Sequence, residues 1–477
     1  MTFALGRVFA SAKDPKLSGH RILGLTPEGN HPVWAPPGHG SVFGANGSGK
    51  STRVAVPAIC SYAATAQEKP VMICDVKDGE LAAQCAVMLH EMGIPVAVID
   101  DLNTRPELKR FRVSLNPFGA IVAAYISDPR DVIFASETIT HALIPEPSDD
   151  QKNEYFRSWP RNLLEFPAGC LLKRTSSLCT PGATAAILAD PDLLFSLAET
   201  EAVEGDPLLK TQAKAILEMR GHEHMPQHLE KAQRSLRLFT PGARLHEVGR
   251  DAEFSHADLI RRGGVIFVIG KMRYMDRLGP YMAMHLLSFC DALYEGAGSL
   301  KIVADEWTNF PAKELISRST TLRAFGGELL MISQSPSEVI RKFGEQEAQT
   351  AEDNSVTKQW LGFSNFREAE KISKAMGEEH AVATGLSGAS TEIRSQESLS
   401  LIKQRQMTPA ELMAMPKEQC LIHIKGLGFT VLNTVSQENL APYCDLLADN
   451  PLEGGRLPPD PKIRLALPKA PRRGWLS

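Results

Sequence analysis

Zinc-type cysteine spacing, long apolar runs and a strong net charge are all missing from this 477-residue chain. Its eight cysteines, Cys60, Cys74, Cys85, Cys170, Cys179, Cys290, Cys420 and Cys444, are scattered. None forms C-x-x-C and no Cys/His group has zinc spacing, which predicts reduced, buried thiols in a cytoplasmic protein. No window of about eighteen apolar residues occurs, so no transmembrane helix is expected. The apolar runs at Gly264–Gly270 and Tyr281–Cys290 are short and read as a buried strand and helix. Met1–Arg7 has no long apolar core behind it, so a secretory signal is not expected. The formal net charge of −4 gives no global basic signature, and any contact with nucleic acid must come from local basic surface. The 43% hydrophobic and 23% charged residues leave room for a sizeable core, in roughly three domains or one large α/β domain with an insertion.

What is present begins with Gly44-Ala45-Asn46-Gly47-Ser48-Gly49-Lys50-Ser51, a match to the P-loop pattern G-x-x-x-x-G-K-[ST]. Apolar Val42 and Phe43 precede it as a strand end, and a helix-compatible run, Thr52–Ala64, follows. In that setting backbone N–H groups converge on a phosphate chain at a helix N-terminus. Glycine is required because a side chain would block the close approach and the positive φ angles. Gly44, Asn46, Gly47, Ser48, Gly49, Lys50 and Ser51 are therefore candidate ATP-binding residues, with Lys50 on the β and γ phosphates and Ser51 on Mg²⁺.

Residues 1–40 read as a leader with a short strand or two. Val71–Asp75 is a buried strand ending in an acid, Leu81–Met92 a helix, and Val96–Asp100 a third strand. This alternation predicts right-handed βαβ units and a mainly parallel sheet. From 121 to 244 helical periodicity takes over, at Asp131–Leu143, Glu154–Leu172, Thr184–Leu188, Asp192–Ala198, Leu208–Leu217 and His228–Leu238, and predicts an inserted all-α domain. The sheet resumes at Gly264–Ile269. A helix at Tyr281–Tyr294, a strand at Lys301–Ala304, a helix at Ala312–Ala324, a strand at Glu328–Ile332 and a short helix at Pro336–Phe343 follow, then strands at Cys420–Lys425 and Gly428–Leu432. Residues 41–120 and 245–450 form the nucleotide-binding domain in this reading, and the Pro- and Arg-rich tail from 451 to 477 is expected to be flexible. There are no internal repeats.

Ile302-Val303-Ala304-Asp305-Glu306 has the form of a Walker B element: Asp305 would position Mg²⁺ and Glu306 would orient and polarise the attacking water. Gln334 lies just past the next strand. Parallel strands carry their sites at their carboxyl ends, which would gather Lys50, Asp75, Asp305, Glu306 and Gln334 on one edge. The turn Asp75-Val76-Lys77-Asp78-Gly79-Glu80 reads equally as a solvated helix N-terminus. The basic pairs Lys109-Arg110, Arg261-Arg262, Arg341-Lys342 and Arg472-Arg473 read mainly as solvated surface, and Trp159 mainly as a packing residue.

Taken in order, these elements resemble the type IV coupling proteins, the conjugative DNA-transfer ATPases of TraG/TraD type, from about His39 to Phe429. The resemblance is carried by the P-loop, the turn Asp75–Leu81 with one extra residue, Ser114-Leu115-Asn116-Pro117-Phe118, Asp305-Glu306, Arg323-Ala324-Phe325-Gly326, Gln334-Ser335 and Phe343-Gly344. Met407-Thr408-Pro409-Ala410-Glu411-Leu412, Pro416 and Ile424-Lys425-Gly426-Leu427 complete it. It implies a RecA-like domain with an all-α insertion, assembled as a hexameric ring with nucleotide between subunits. In that ring a neighbour's arginine, Arg323 by position, stabilises the transition state; Arg318 and Arg341 are rivals. DNA with its relaxosome, or secreted protein, is the implied cargo, and a type IV secretion channel the implied partner. Such proteins usually begin with two transmembrane helices, which this sequence does not show, so membrane contact is expected to be indirect or peripheral at the inner membrane. Two other readings stand beside the cargo-coupling motor: an FtsK- or HerA-like cytoplasmic DNA pump, and an ATP-binding adaptor without motor activity.

Overall fold

The computed structural model describes residues 19–28, 30–146, 153–311, 313–387, 396–453 and 457–468; for 379–404 it describes backbone only. Met1–Arg7, Ala312 and the Arg472-Arg473 pair lie outside the described residues.

One eleven-stranded sheet organises the chain, in the order β2-β1-β13-β12-β9-β3-β8-β7-β4-β6-β5. Seven neighbouring strands are parallel: β5 (Val96–Ile99), β6 (Val265–Ile269), β4 (Val71–Asp75), β7 (Leu300–Ala304), β8 (Gly327–Ser333), β3 (His39–Phe43) and β9 (Ser355–Trp360). An antiparallel extension follows, made of β12 (Gln419–Ile424), β13 (Gly428–Asn433), β1 (Ile22–Leu25) and β2 (Pro32–Trp34). The central strands are apolar on both faces and buried throughout, as a parallel sheet covered on both sides requires. A ten-residue hairpin pair, β10 (Glu378–Ser387) with β11 (Gln396–Arg405), stands apart from the main sheet.

Helices fill the chain between β5 and β6: Gly119–Ser127, Val132–Leu143, Tyr155–Arg174, Pro181–Ala189, Pro191–Glu204, Pro207–Glu218, Met225–Ser235 and His256–Arg262. Three of them begin with the same local device. Thr180, Asp190 and Asp206 each cap the helix that follows, accepting hydrogen bonds from Ala183, from Leu193, and from Leu208 and Leu209, with proline next in sequence. Pro191 therefore opens a helix as well as closing one. The cluster reaches the sheet through the long helix Met275–Tyr294, whose buried face joins the core shared with Phe118, Ile139 and Leu163. Inside this layer, His256 Nε2 and His285 Nδ1 are 3.0 Å apart and buried.

Three expectations need correction. The helix expected at Ala312–Ala324 is a short helix, Lys313–Ser319, followed by a 3₁₀ turn, Leu322–Phe325. The hydroxyls of Thr320 and Thr321 donate back to the Ser317 and Arg318 carbonyls, competing with helix continuation. The tail also contributes structure, because β15 (Ile463–Arg464) pairs in parallel with β14 (Leu440–Ala441) and buries Ile463 and Leu465. Finally, β9 and the helices Glu345–Asn354 and Phe366–Met376 occupy a stretch in which no element was expected. All eight cysteines are buried free thiols. Among the described residues, no helix is long and apolar enough to cross a membrane.

Candidate active site

The parallel strands β3, β8, β7 and β4 are consecutive in the sheet, so their carboxyl ends form one continuous edge. After β3 the chain turns through Gly47 and Gly49 at φ 76° and 87°, a left-handed backbone that favours glycine. At Gly49 a Cβ would also stand 2.9 Å from Arg53 Cδ. The chain then enters one π-helical turn, Ser51–Ala55, and the α-helix Val56–Ala63, whose first N–H groups face back toward the loop. Asn46 lies exposed at the loop tip, whereas Lys50 and Ser51 are buried. Lys50 Nζ donates to the Gly44 carbonyl at 2.7 Å and lies 3.3 Å from Glu306 Oε1.

Asp305 and Glu306 extend directly from β7 and are almost completely buried. Glu306 adopts φ 48°, ψ 42°, a left-handed conformation for a residue with a Cβ, at a typical cost of about 1–3 kcal/mol. That turn directs its carboxylate toward Lys50. Lys77, from the turn after β4, completes a charge network: its Nζ is 3.2 Å from Asp305 Oδ2, 3.4 Å from Glu306 Oε1 and 3.8 Å from Glu80 Oε1. The Ser51 hydroxyl donates to Glu80 Oε1, and Asn450 Nδ2 donates to Glu80 Oε2 at 3.4 Å.

Burial raises the Asp305 carboxyl to about 6, with Lys77 opposing the shift and Glu306 and Glu80 adding to it. Burial alone would lower the Lys77 ammonium, but Asp305, Glu306 and Glu80 outweigh it and hold its pKa above the usual lysine value. Asp75 serves the scaffold: its Oδ2 accepts the Ala82 N–H at 2.8 Å, and burial pushes its pKa up. Two lysines thus face Glu80, Asp305 and Glu306, while Asp305 Oδ1 and Glu306 Oε2 are buried without a hydrogen-bond partner. An oxygen-rich, net-negative donor set of this kind suits a hard divalent cation.

Gln334 is half-buried at the carboxyl end of β8, on the same edge; the Gly44 N–H donates to the Ser333 carbonyl at 3.2 Å and ties the two turns together. Arg323 is not on that edge. It is exposed in the turn before β8, with Nη1 3.6 Å from where a Cβ on Gly38 would sit, just ahead of β3. The seven-residue β8, about 23 Å long, separates it from Gln334. Arg318 is committed to an ion pair with Asp291 and lies against Tyr294, and Arg341 is exposed on the helix Pro336–Phe343. Lys109-Arg110 and Arg261-Arg262 are exposed, and Trp159 packs within the helical layer against His228.

Three residues at this site were absent from the candidate set. Lys77 and Glu80 sit in a turn whose charges match a solvated helix start, and only the family resemblance singled that turn out. Asn450 carries no sequence signal at all.

A family model described as type IV secretory system conjugative DNA transfer matches residues 11–428. No curated protein sequence matches the chain. Among solved structures, it is similar to the bacterial conjugative coupling protein TrwBΔN70 in its unbound monoclinic form. That match has a TM-score of 0.62 and 17% identity, and covers 84% of this chain and 86% of that one. Plasmid coupling protein TrwB in complex with ADP and Mg²⁺ matches with a TM-score of 0.60 at 15% identity, over 88% and 91%. VirB4 of Thermoanaerobacter pseudethanolicus matches with a TM-score of 0.52 at 14% identity, over 90% and 98%. At these identities the likeness is one of fold, and the fold is that of a RecA-like P-loop NTPase.

Proposed function

Since the chain belongs to the type IV secretory system conjugative DNA transfer family, we propose that it is a coupling ATPase, hydrolysing ATP to drive macromolecular cargo toward a secretion channel. The observation that carries this reading is the convergence of Lys50, Ser51, Asp305 and Glu306 on one sheet edge, with Lys50 Nζ 3.3 Å from Glu306 Oε1. The solved TrwB complexes with an ATP analogue and with ADP and Mg²⁺ support nucleotide and metal as ligands.

Each residue takes one role in this reading. Backbone N–H groups of Gly47–Ser51 cradle the phosphates, and Lys50 carries positive charge to the β and γ oxygens. Glu306, with Oε2 unpartnered, accepts a hydrogen bond from the attacking water and orients it. Ser51 and Asp305 would hold Mg²⁺, which neutralises charge on the β and γ phosphates when bound. Gln334 stands between the two halves and contacts the γ-phosphate or the water. Arg323 lies a full strand length from its own site, and in this reading it serves a neighbouring subunit of a homo-oligomer. DNA with its relaxosome, or secreted protein, is the cargo.

The test is steady-state ATP hydrolysis by wild type and Glu306→Gln, with and without single-stranded DNA at low salt. Hydrolysis in Glu306→Gln equal to wild type would remove the water-orienting role and favour an adaptor.

A further inference from the structure

At the edge of the sheet opposite the P-loop, a cleft of about 80 Å³ opens among Arg21, Tyr62, Lys69, Lys301, Glu328 and Thr357. Arg21 precedes β1, and Lys301 lies near the amino end of β7. Both are more than nine-tenths buried, at 3% and 6% exposure. The hydrogen-bond partners of Arg21 are neutral: Gln359 Oε1 at 2.7 Å and Thr357 Oγ1 at 3.4 Å. Lys301 Nζ donates to the Gly19 carbonyl and lies 4.4 Å from the centre of the Tyr62 ring. Among the described residues, neither cation has a carboxylate within 4 Å. Lys69 adds a third positive charge at the mouth, His20 lines the wall with Nδ1 bonded to the Ala35 carbonyl, and the Arg323 guanidinium lies beside the lining residue Gly38. The one carboxylate lining the cleft is Glu328, half-buried and with no ion pair within 4 Å among the described residues.

Burying a guanidinium and an ammonium around one cavity with only the half-buried Glu328 opposing them, beyond ion-pair distance, is costly, because each loses hydration that neutral acceptors only partly replace. A planar fork next to a point-charge ammonium is also the donor combination that wraps a tetrahedral oxyanion. We propose that this cleft is an oxyanion site, built to seat a phosphate-sized dianion through Arg21 and Lys301 at the edge of the sheet opposite the P-loop. Burial lowers the Lys301 ammonium to about 8, and a bound dianion reverses that shift by pairing with it. The cavity accommodates the anion itself; anything larger attached to it must lie at the exposed Lys69 end.

The experiment is calorimetric titration of inorganic phosphate into the Lys50→Ala full-length chain at constant ionic strength, so that the P-loop does not contribute. Saturable binding is expected, weakened at least tenfold by the volume-conserving Lys301→Met and about threefold by the exposed Lys69→Ala, a change that leaves folding intact. A parallel titration with glycerol 3-phosphate separates the sources: tighter binding of the ester assigns the site to a phosphate carried on a larger molecule, and tighter binding of the free ion assigns it to phosphate itself. No saturable binding of either, or binding unchanged in both Lys301→Met and Lys69→Ala, overturns the assignment.

Discussion

Lys50 and Glu306 pair directly, Nζ to Oε1 at 3.3 Å, with both side chains almost wholly excluded from solvent. A phosphate that recruited Lys50 would leave Glu306 Oε1 to Lys77 alone, 3.4 Å away, with Oε2 facing the water in the proposed mechanism. In that mechanism nucleotide binding reaches the water-orienting carboxylate through Lys50, one of the two lysines paired with it. Lys50→Ala is expected to abolish detectable ATP binding, measured by calorimetry. Glu306→Gln keeps binding and loses hydrolysis by about 10²–10⁴-fold.

Glu80 holds the Ser51 hydroxyl hydrogen, which leaves the oxygen's lone pairs directed away from the carboxylate. Glu80→Gln is expected to weaken Mg²⁺-dependent nucleotide binding by about 10–100-fold, the usual range for groups that orient a metal ligand. Binding measured without Mg²⁺ should change far less. Equal losses in the two conditions would assign Glu80 to the fold alone.

The His256–His285 pair makes the fold sensitive to acid. Burial lowers both imidazoles, His285 to about 3, while an unfolded histidine titrates near 6.5. The unfolded chain binds the extra protons, so the stability held above about pH 6.5 is lost as pH falls toward 3. Thermal melts from pH 8 to 5 should show a Tm that declines below 6.5, and a His256→Leu, His285→Phe double variant should show a shallower decline.

Arg323 provides a test of assembly. Arg323→Ala is expected to lower hydrolysis by about 10³-fold if it serves a neighbour's site as transferred arginines do. Mixing Arg323→Ala with Lys50→Ala protein should then restore part of the activity, since some interfaces combine an intact P-loop with an intact arginine. No recovery on mixing would leave Arg323 without a role across the interface.

Much of the site could be read in the sequence because a P-loop and a strand ending in Asp-Glu are local patterns. Lys50, Ser51, Asp305 and Glu306 are set by residues within a few positions of themselves. The Lys77–Asp305 and Glu80–Asn450 contacts join segments more than two hundred residues apart, and periodicity carries no record of them. Strand β9 is hidden in the sequence for a related reason. Its Ser355-Val356-Thr357-Lys358-Gln359-Trp360 is too polar to signal a central strand, yet Gln359 and Thr357 are buried as acceptors for Arg21.

The strand order also acts as a gauge. Between β3, which ends at the P-loop, and β7, which ends at Asp305-Glu306, lies only β8, held to one neighbour by the Val42–Ile332 register and to the other by Val303–Leu330. Two strand spacings, about 10 Å, therefore separate the strand ends that carry the P-loop and Asp305-Glu306, a gap that Lys50 and Glu306 close by reaching toward each other. The strand between them ends at Ser333, one residue before Gln334, so that residue lies between the two ends. Anything that moved the two ends apart or together would have to disturb the pairing of β8 with at least one neighbour.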